Sequence, residues 1–455
     1  MHIAMLSAEY PPRWGGMGST VFHLSSALVS RGHQVTIITR NGGGKNIPEV
    51  EGIEVISVGW LKLPMEFTRS YGRSALRALK KLNLTNPIDI VHLHCPMISW
   101  NTKQFDYCKK NIAPIVSSLH GSWLGEKDGL VTAAKQKEAA VWANPNDLAI
   151  LLTAKRYAGY ENAAVVNSDV CVANSEATKM DFLTRYSVPE NWDCEVIHWG
   201  VDTEMFYPTE SVDNDLRGRF GCTEESTLLL AVGRLAARKG YGSLLKAFAI
   251  VNSEAPNSKL VIVGRGHLRG RLLKQANKLG LSSSVFIESS MSFLELASLF
   301  RNADLTIYPS YYEGQGLIPL ESMSSGTPVV TVNHGPLPEM VDSTVGALFT
   351  MGDIDSMAST ILEVPYLLWV ILIQWLLLFL KRLNIENYST RKDLRVVKES
   401  LIDLHMRLMR IILSKYIIEF NLLSGNPSSI KTPRRVGEAH DIYKSLQRYS
   451  SQHGI

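Results

Sequence analysis

Short runs of aliphatic and β-branched residues alternate with helically spaced apolar positions from the first residue onward. This is the order of βα units that builds a parallel sheet. Strands are predicted at Ile3–Leu6, Val35–Thr39, Glu54–Val58, Ile90–Leu93, Pro114–Leu119, Val170–Ala173 and Glu195–Ile197. Between them, Thr20–Arg31 and Arg69–Leu82 space their apolar residues as one face of a helix does, Val21, Leu24 and Leu28 being an example. A polar stretch, Thr203–Glu225, interrupts the pattern. It restarts with strands at Leu228–Val232, Lys259–Val263, Val285–Ile287, Leu305–Tyr308 and Pro328–Val332, and helices from about Tyr241, His267, Phe293 and Leu317. The predicted fold class is α/β, with two doubly wound, Rossmann-like parallel-sheet domains over 1–205 and 206–363 and an atypical tail over 364–455. Two such domains facing a central cleft place the carboxyl ends of both sheets on it, where ligands of open α/β sheets bind. Functional residues are therefore expected at strand ends.

The length of 455 residues agrees with two domains, and 45% hydrophobic with 20% charged residues excludes a disordered, collagen-like or low-complexity chain. A net charge of +4 is too small a surplus to suggest nucleic acid as a partner. Its distribution is uneven: residues 381–455 carry 14 Lys/Arg against 7 Asp/Glu, and the rest of the chain 33 against 36. Cys95, Cys108, Cys171, Cys194 and Cys222 are scattered and form no CxxC pair, which fits a reducing compartment and supplies no zinc or disulfide framework. The opening MHIAMLS meets Glu9 and Pro11-Pro12 at once, without the basic and apolar regions of a signal peptide, so a cytoplasmic protein is expected.

One segment breaks this picture. Val364–Leu380 is 17 residues interrupted only by Pro365 and Gln374, at the lower limit of a membrane span. Asp353, Asp355 and Glu363 precede it, and Lys381 and Arg382 follow, so a span would export the domains and leave the basic tail inside. A span is not expected. The alternatives are a peripheral contact with the inner face of the membrane, its basic tail on anionic lipid, a segment altered by a reading-frame disruption, or a buried helix. Trp369, Trp375 and Phe379 surround the helix and form no single stripe, which disfavours the last.

Three loops carry candidate chemistry. After the first strand, Gly15, Gly16 and Gly18 lead into a helix whose N-terminus favours an anion, unless the segment is only a glycine-rich turn. Gly42-Gly43-Gly44-Lys45 lacks the Ser/Thr of a phosphate loop and is expected to be a flexible connection. Arg234 and Lys239 follow the strand at Leu228–Val232, where they can clamp a diphosphate or stand as solvated loop charges. After the strand at Leu305–Tyr308 comes Glu313-Gly314-Gln315-Gly316-Leu317, with a second carboxylate at Glu321. Gly314 and Gly316 can offer backbone N–H groups to phosphate at a helix start, and a carboxylate can accept two vicinal hydroxyls. That pair of features suits a sugar-phosphate ligand.

Taken together, Glu313-x7-Glu321, Ser325-Gly326-Thr327-Pro328, Val232-Gly233-Arg234, Arg238-Lys239-Gly240, Arg31-Gly32-His33, His120-Gly121 and Gly200-Val201-Asp202 resemble the retaining GT-B glycosyltransferases of family 4 over residues 1–363. The resemblance implies a nucleotide-diphosphate sugar as donor, UDP- or GDP-linked, and an acceptor hydroxyl on a glycan, lipid-linked or small molecule. It implies that Glu321 holds the ribose, Glu313 contacts the transferred sugar, Arg234 and Lys239 hold the diphosphate, and the backbone at Gly16, Gly314 and Gly316 cradles phosphate. His120 would line the sugar pocket, and Asp202 is left outside the site as a hinge-loop cap. Gln315 stands where the family often has an aromatic or aliphatic residue, and Trp199 where it commonly has Asn.

Breaking a sugar–diphosphate bond leaves negative charge on the phosphates, which Arg234, Lys239 and helix N-termini can stabilise without a metal. No cofactor or metal is therefore expected, and Asp353-Ile354-Asp355 is taken as a helix cap. Three other activities fit the fold less well. A nicotinamide oxidoreductase needs GxGxxG, and Gly264-Arg265-Gly266-His267-Leu268-Arg269-Gly270 misses that spacing. An epimerase or phosphorylase on the same scaffold, or an inactive sugar-nucleotide-binding protein, remain open because fold does not fix chemistry.

Overall fold

The computed structural model describes residues 1–11, 15–41, 50–138, 141–209, 213–289 and 291–364. The loop at 42–45 and the hydrophobic and basic tail from 365 onward lie outside the described residues.

The first sheet has seven strands in the order β3-β2-β1-β4-β5-β6-β7, all pairs parallel. They are β1 His2–Leu6, β2 Gln34–Arg40, β3 Ile53–Val58, β4 Ile90–Cys95, β5 Ile115–Leu119, β6 Val170–Ala173 and β7 Cys194–Val196. Its helices are α1 Gly16–Ser30, α2 Glu66–Thr85, α3 Thr102–Asn111, α4 Trp123–Lys135, α5 Pro145–Asn167 and α6 Glu176–Arg185. The second sheet has six strands in the order β10-β9-β8-β11-β12-β13, again parallel. These are β8 Leu228–Val232, β9 Lys259–Val263, β10 Val285–Glu288, β11 Leu305–Tyr308, β12 Val329–Val332 and β13 Gly346–Phe349. Its helices are α7 Asn214–Gly218, α8 Tyr241–Glu254, α9 Arg269–Lys278, α10 Phe293–Asn302, α11 Leu317–Ser324 and α12 Leu337–Met340.

Central strands covered on both faces become continuous apolar runs, and β8, Leu-Leu-Leu-Ala-Val, is buried at every position. Both strand orders reverse direction beside their first strand, between β1 and β4 and between β8 and β11. Such switch points open a crevice at the carboxyl ends of the strands. The glycine loop after β1, the basic loop after β8 and the Glu313 loop after β11 leave from those strands.

The expected strands all form, with ends displaced by at most two residues. The helix after β1 starts at Gly16, ahead of the spacing seen from Thr20, with extended Gly15 as its N-cap. The stretch Thr203–Glu225 contains the short helix α7, capped by Asp213, whose side chain accepts the Leu216 N–H at 2.9 Å. Asp202 Oδ1 accepts the N–H groups of Glu204 and Met205, and Asp353 Oδ1 that of Ser356, so both aspartates close turns as expected. The helix beginning there buries Met357, Ala358, Ile361 and Val364 against the second sheet's core. Among the described residues no helix is long and apolar enough to cross a membrane.

One feature of the core ties the two halves together. Leu130, Ala133 and Val141, from α4 and the turn after it, are buried in the same apolar cluster as Tyr241, Leu244, Leu245 and Phe248 of α8. The first half thus lends a helix to the core of the second. Cys95, Cys108, Cys171 and Cys194 are buried free thiols whose pKa burial pushes up, which removes them from thiolate chemistry.

Candidate functional site

The loop from β8 to α8 passes through a 3-10 turn, Ala237–Lys239, that ends on Gly240 in left-handed backbone at φ 71°. A Cβ at Gly240 would run into the Pro309 carbonyl, so glycine lets the basic turn press against the loop that follows β11. Lys239 is buried there. Its Nζ donates to the Tyr308 hydroxyl at 2.8 Å and to Glu313 Oε1. Ser310 Oγ donates to the same oxygen at 2.5 Å, and the Arg238 guanidinium stands 3.7 Å from it. Among the described residues Glu313 Oε2 takes no hydrogen bond, which leaves that oxygen for a ligand.

Burial pushes the Glu313 carboxyl up, but the charges of Lys239 and Arg238 and the hydrogen bonds from Lys239 and Ser310 outweigh it and hold the group below the usual range. For Lys239 burial is the larger influence and pulls the ammonium down to about 8 against the attraction of Glu313. Burial also opposes the charge on Arg238, but Glu126 and Glu313 keep it cationic. Glu126 reaches it from α4, Oε1 lying 2.6 Å from Arg238 Nε. The cationic cluster is therefore shared by both halves.

Glu321 lies in the second turn of α11 and has no ion pair or hydrogen bond from its carboxyl to a described residue. Burial alone raises its pKa to about 7. A carboxyl left so is costly unless a ligand satisfies it. At the start of the same helix, Gly316 is the N-cap, at φ 102°. Leu317, the first residue of α11, faces Gly16, the first of α1, so closely that a Cβ on Gly16 would stand 4.0 Å from Leu317 Cδ1. Two helix N-termini, one from each half, converge at this point, and each brings the positive dipole charge of a helix start.

His120 lies just past β5, with Nε2 2.9 Å from His94 Nδ1. The two rings stack with centroids 5.1 Å apart, and His94 stacks on His92 at 4.4 Å. Burial lowers the pKa of His120 to about 3 and that of His92 to about 4, so this ladder is neutral at working pH. His120 Nδ1 is buried and has no partner among the described residues. Gly314 packs on the His120 carbonyl so tightly that a Cβ would overlap it, and its own carbonyl accepts Ser175 Oγ at 2.6 Å and Thr178 Oγ1 at 3.0 Å.

Of the residues expected in the site, Glu313 and Lys239 meet as an ion pair, Gly314 meets His120, and Gly16 approaches the start of α11 through the Leu317 side chain. Arg234 is exposed on the loop after β8, close enough to add to the charges that pull against burial at Asp147. Glu321 stands apart from the cations. Sequence reasoning passed over Arg238, Glu126 and Glu138. Glu138, 3% exposed, accepts the N–H groups of Gly242 and Ser243 at 2.7 and 2.8 Å and the Tyr311 hydroxyl at 2.9 Å, capping α8 from the other half. A lone acid after a helix carries no signal of that role. Passed over too was a stripe of glycines at Gly121, Gly125 and Gly129. The Tyr312 side chain lies where Cβ atoms on all three would stand, and its hydroxyl accepts the Ser122 N–H at 2.5 Å. The four-residue spacing was visible, but its knob lies 190 residues from Ser122.

Residues 14–205 match the Glycosyltransferase Family 4 description, and residues 213–364 match Glycosyl transferases group 1. An uncharacterized glycosyltransferase of Methanocaldococcus jannaschii is 29% identical over 359 residues, covering 77% of this chain and 85% of that protein. The glycogen synthase of Mycobacterium tuberculosis is 29% identical over 387 residues, covering 80% of this chain and 86% of its own length. Among solved structures, the sucrose-phosphate synthase of Thermosynechococcus elongatus superposes with a TM-score of 0.64 at 21% identity, over 80% of this chain and 90% of that one. At that identity the likeness concerns the fold.

Proposed function

Since the chain belongs to the family 4, group 1 glycosyltransferases, we propose that its halves divide the reaction, residues 206–363 holding the donor nucleotide and 1–205 presenting the acceptor. The protein is an enzyme that moves a sugar from a nucleotide-sugar donor to an acceptor with retention of anomeric configuration. The observation that supports the division best is the convergence of the α1 and α11 N-termini beside the Lys239–Glu313 pair. A diphosphate placed there meets positive charge from both halves, and its ribose and sugar extend toward Glu321 and His120. The donor we propose is a UDP- or GDP-sugar, used on the cytoplasmic side where such donors are made.

The chemistry then follows from charge. As the bond between the sugar C1 and the β-phosphate oxygen breaks, its electron pair goes to the phosphate, and Lys239, Arg234 and the two helix ends hold the resulting charge. The acceptor oxygen bonds to C1 on the face the phosphate leaves, and its proton passes to the departing phosphate oxygen. Glu313 keeps Lys239 in place through Oε1 and offers Oε2 to the sugar. His120, neutral, hydrogen-bonds a sugar hydroxyl through Nδ1. With these groups supplying the compensation, transfer is expected to continue in chelator.

Acceptor-dependent release of nucleotide from UDP- and GDP-sugars, with the product anomer assigned by NMR, tests this reading. Release by none of the donors would reduce the protein to a sugar-nucleotide binder. Activity lost in chelator and restored by magnesium or manganese would overturn the charge argument.

The two carboxylates should separate in kinetics. Glu321→Ala is expected to weaken nucleoside diphosphate binding by about tenfold, the loss of hydrogen bonds to a charged group. Glu313→Gln should chiefly lower turnover, because its contact strengthens as charge develops on the sugar. Calorimetry with the nucleotide alone, set beside kcat, checks the split, and equal binding losses in both variants would contradict it.

A further inference from the structure

Trp199 and Gln315 are 116 residues apart in sequence and touch each other in the structure. Gln315 is 1% exposed and turns both ends of its amide to the Trp199 backbone: Oε1 accepts the Trp199 N–H at 2.7 Å, and Nε2 donates to the Trp199 carbonyl at 3.1 Å and more weakly to Met340 Sδ at 3.8 Å. Burying an amide is costly unless its hydrogen bonds are made, so Gln315 and the Trp199 backbone fix each other. The indole lies against the His120 ring with centroids 4.8 Å apart and planes at 44°. It is partly exposed and belongs to none of the apolar core clusters of the described residues, so packing in a core does not explain it. His120 is the ring with the buried, unpartnered Nδ1, and its carbonyl seats Gly314, next to Glu313 and its open Oε2.

We propose that Trp199 contacts the donor's hexose and determines which hexose is accepted, and that Gln315 is the positioning residue that holds it there. The proposal rests on the reading of this cleft as a nucleotide-sugar site. An indole offers a rigid apolar face on which the C–H face of a pyranose can lie, with a polar N–H at its edge for a hydroxyl. Asparagine at this position would leave the compartment wider and more polar. The hydroxyl bonded by His120 Nδ1 and the ring face covered by Trp199 together fix the orientation of the sugar, and a hexose with a misplaced hydroxyl leaves a buried polar group unpaired. Gln315→Leu keeps the volume and removes both backbone bonds, so it frees the Trp199 loop without touching a charged group of the site.

The test uses the full chain labelled with 5-fluorotryptophan, the Trp199 resonance being assigned by its loss in Trp199→Phe. Four probes are added in turn: UDP-glucose, UDP-galactose, UDP-N-acetylglucosamine and GDP-mannose, each against its free nucleoside diphosphate. The Trp199 resonance is expected to shift with at least one sugar nucleotide and to stay in place with the corresponding diphosphate. In kinetics, Trp199→Asn is expected to shrink the kcat/KM preference between the best and second hexose by about tenfold, the scale of discrimination set by one apolar contact. Gln315→Leu should do the same, Trp199→Phe should largely preserve the preference, and diphosphate affinity should be unchanged in all three. A shift in the resonance without transfer by the wild type would reject the enzymatic reading and keep the sugar contact. Transfer by the wild type with a silent resonance, or with selectivity unmoved by Trp199→Asn, would overturn this inference and leave the enzymatic reading intact.

Discussion

Lys239→Met is expected to lower kcat/KM by about 10²–10³, the effect of removing one preorganised donor to a developing charge. The lysine reaches the site from a turn that Gly240 presses onto the β11 loop, and its ammonium is paired with Glu313. Methionine keeps most of the stem and removes the charge together with the hydrogen bond to the Tyr308 hydroxyl. Taking one partner from a buried pair also destabilises, by roughly 3–5 kcal/mol where nothing else compensates. Here Arg238 remains near Glu313, and adding Glu313→Gln removes the stranded carboxylate. The double variant should therefore recover thermal stability without recovering activity, which separates a catalytic loss from a folding loss. Wild-type rates in the single variant would place the diphosphate elsewhere.

The same residue predicts a pH limit. Its ammonium is lowered to about 8, so in the free enzyme the cation is present below that value and lost above it, and kcat/KM should fall as pH rises through about 8. Glu321, raised to about 7, is ionised above that value. In the role proposed for it the carboxylate form would accept from both ribose hydroxyls, so donor capture should weaken as pH falls through about 7. A narrow optimum between the two is expected. Lys239→Met should remove the alkaline limb and Glu321→Gln the acid limb, and a profile with both limbs intact in these variants would contradict the assignments.

Gly125→Val is the second large effect, a fall in kcat/KM of about hundredfold with little change in nucleotide affinity. A displacement of about 1 Å at a distance from the chemistry can have that consequence. Gly121, Gly125 and Gly129 line one face of α4 and its approach, and the Tyr312 ring occupies the space their side chains would take. Valine at 125 must push Tyr312 out, and with it Glu126 from Arg238 and Glu138 from the N-terminus of α8. The second half, to which donor binding is proposed, keeps its own folded sheet, so nucleotide binding should survive. Replacing a helical glycine usually stabilises a helix by up to about 1 kcal/mol, so a loss here reports the contact and not the propensity. Adding Tyr312→Ala to Gly125→Val should return part of the activity, since it removes the group with which valine collides. No rescue in the double variant would mean that the Tyr312 seat has no part in bringing the halves together.

The sequence by itself determined the two parallel sheets and pointed to the loops that carry the candidate site. Strands buried on both faces must be nearly all apolar, as β8 is, and glycine, arginine and glutamate beside such runs stand out against them. It determined less where burial is partial. The helix α5, 23 residues long, buries Ala154, Tyr157, Ala158, Glu161, Ala164 and Val165 in a pattern with little apolar contrast between its faces, and no periodicity announced it. The edge strand β13, Gly-Ala-Leu-Phe, has two partly exposed middle positions and lacks the β-branched run of β12, so neither burial nor composition marks it as a strand. Tertiary structure alone decided which charges meet. Arg238 read only as part of the Arg238-Lys239-Gly240 motif until Glu126 arrived from α4, Tyr312 as an aromatic in a loop until it filled the glycine stripe, and Trp199 and Gln315 as two unrelated departures until the amide joined them. The reason is physical: periodicity records whether a residue faces water or core, a property of its own element, whereas a hydrogen bond or ion pair between halves depends on how two elements dock, and no spacing along one chain segment encodes that.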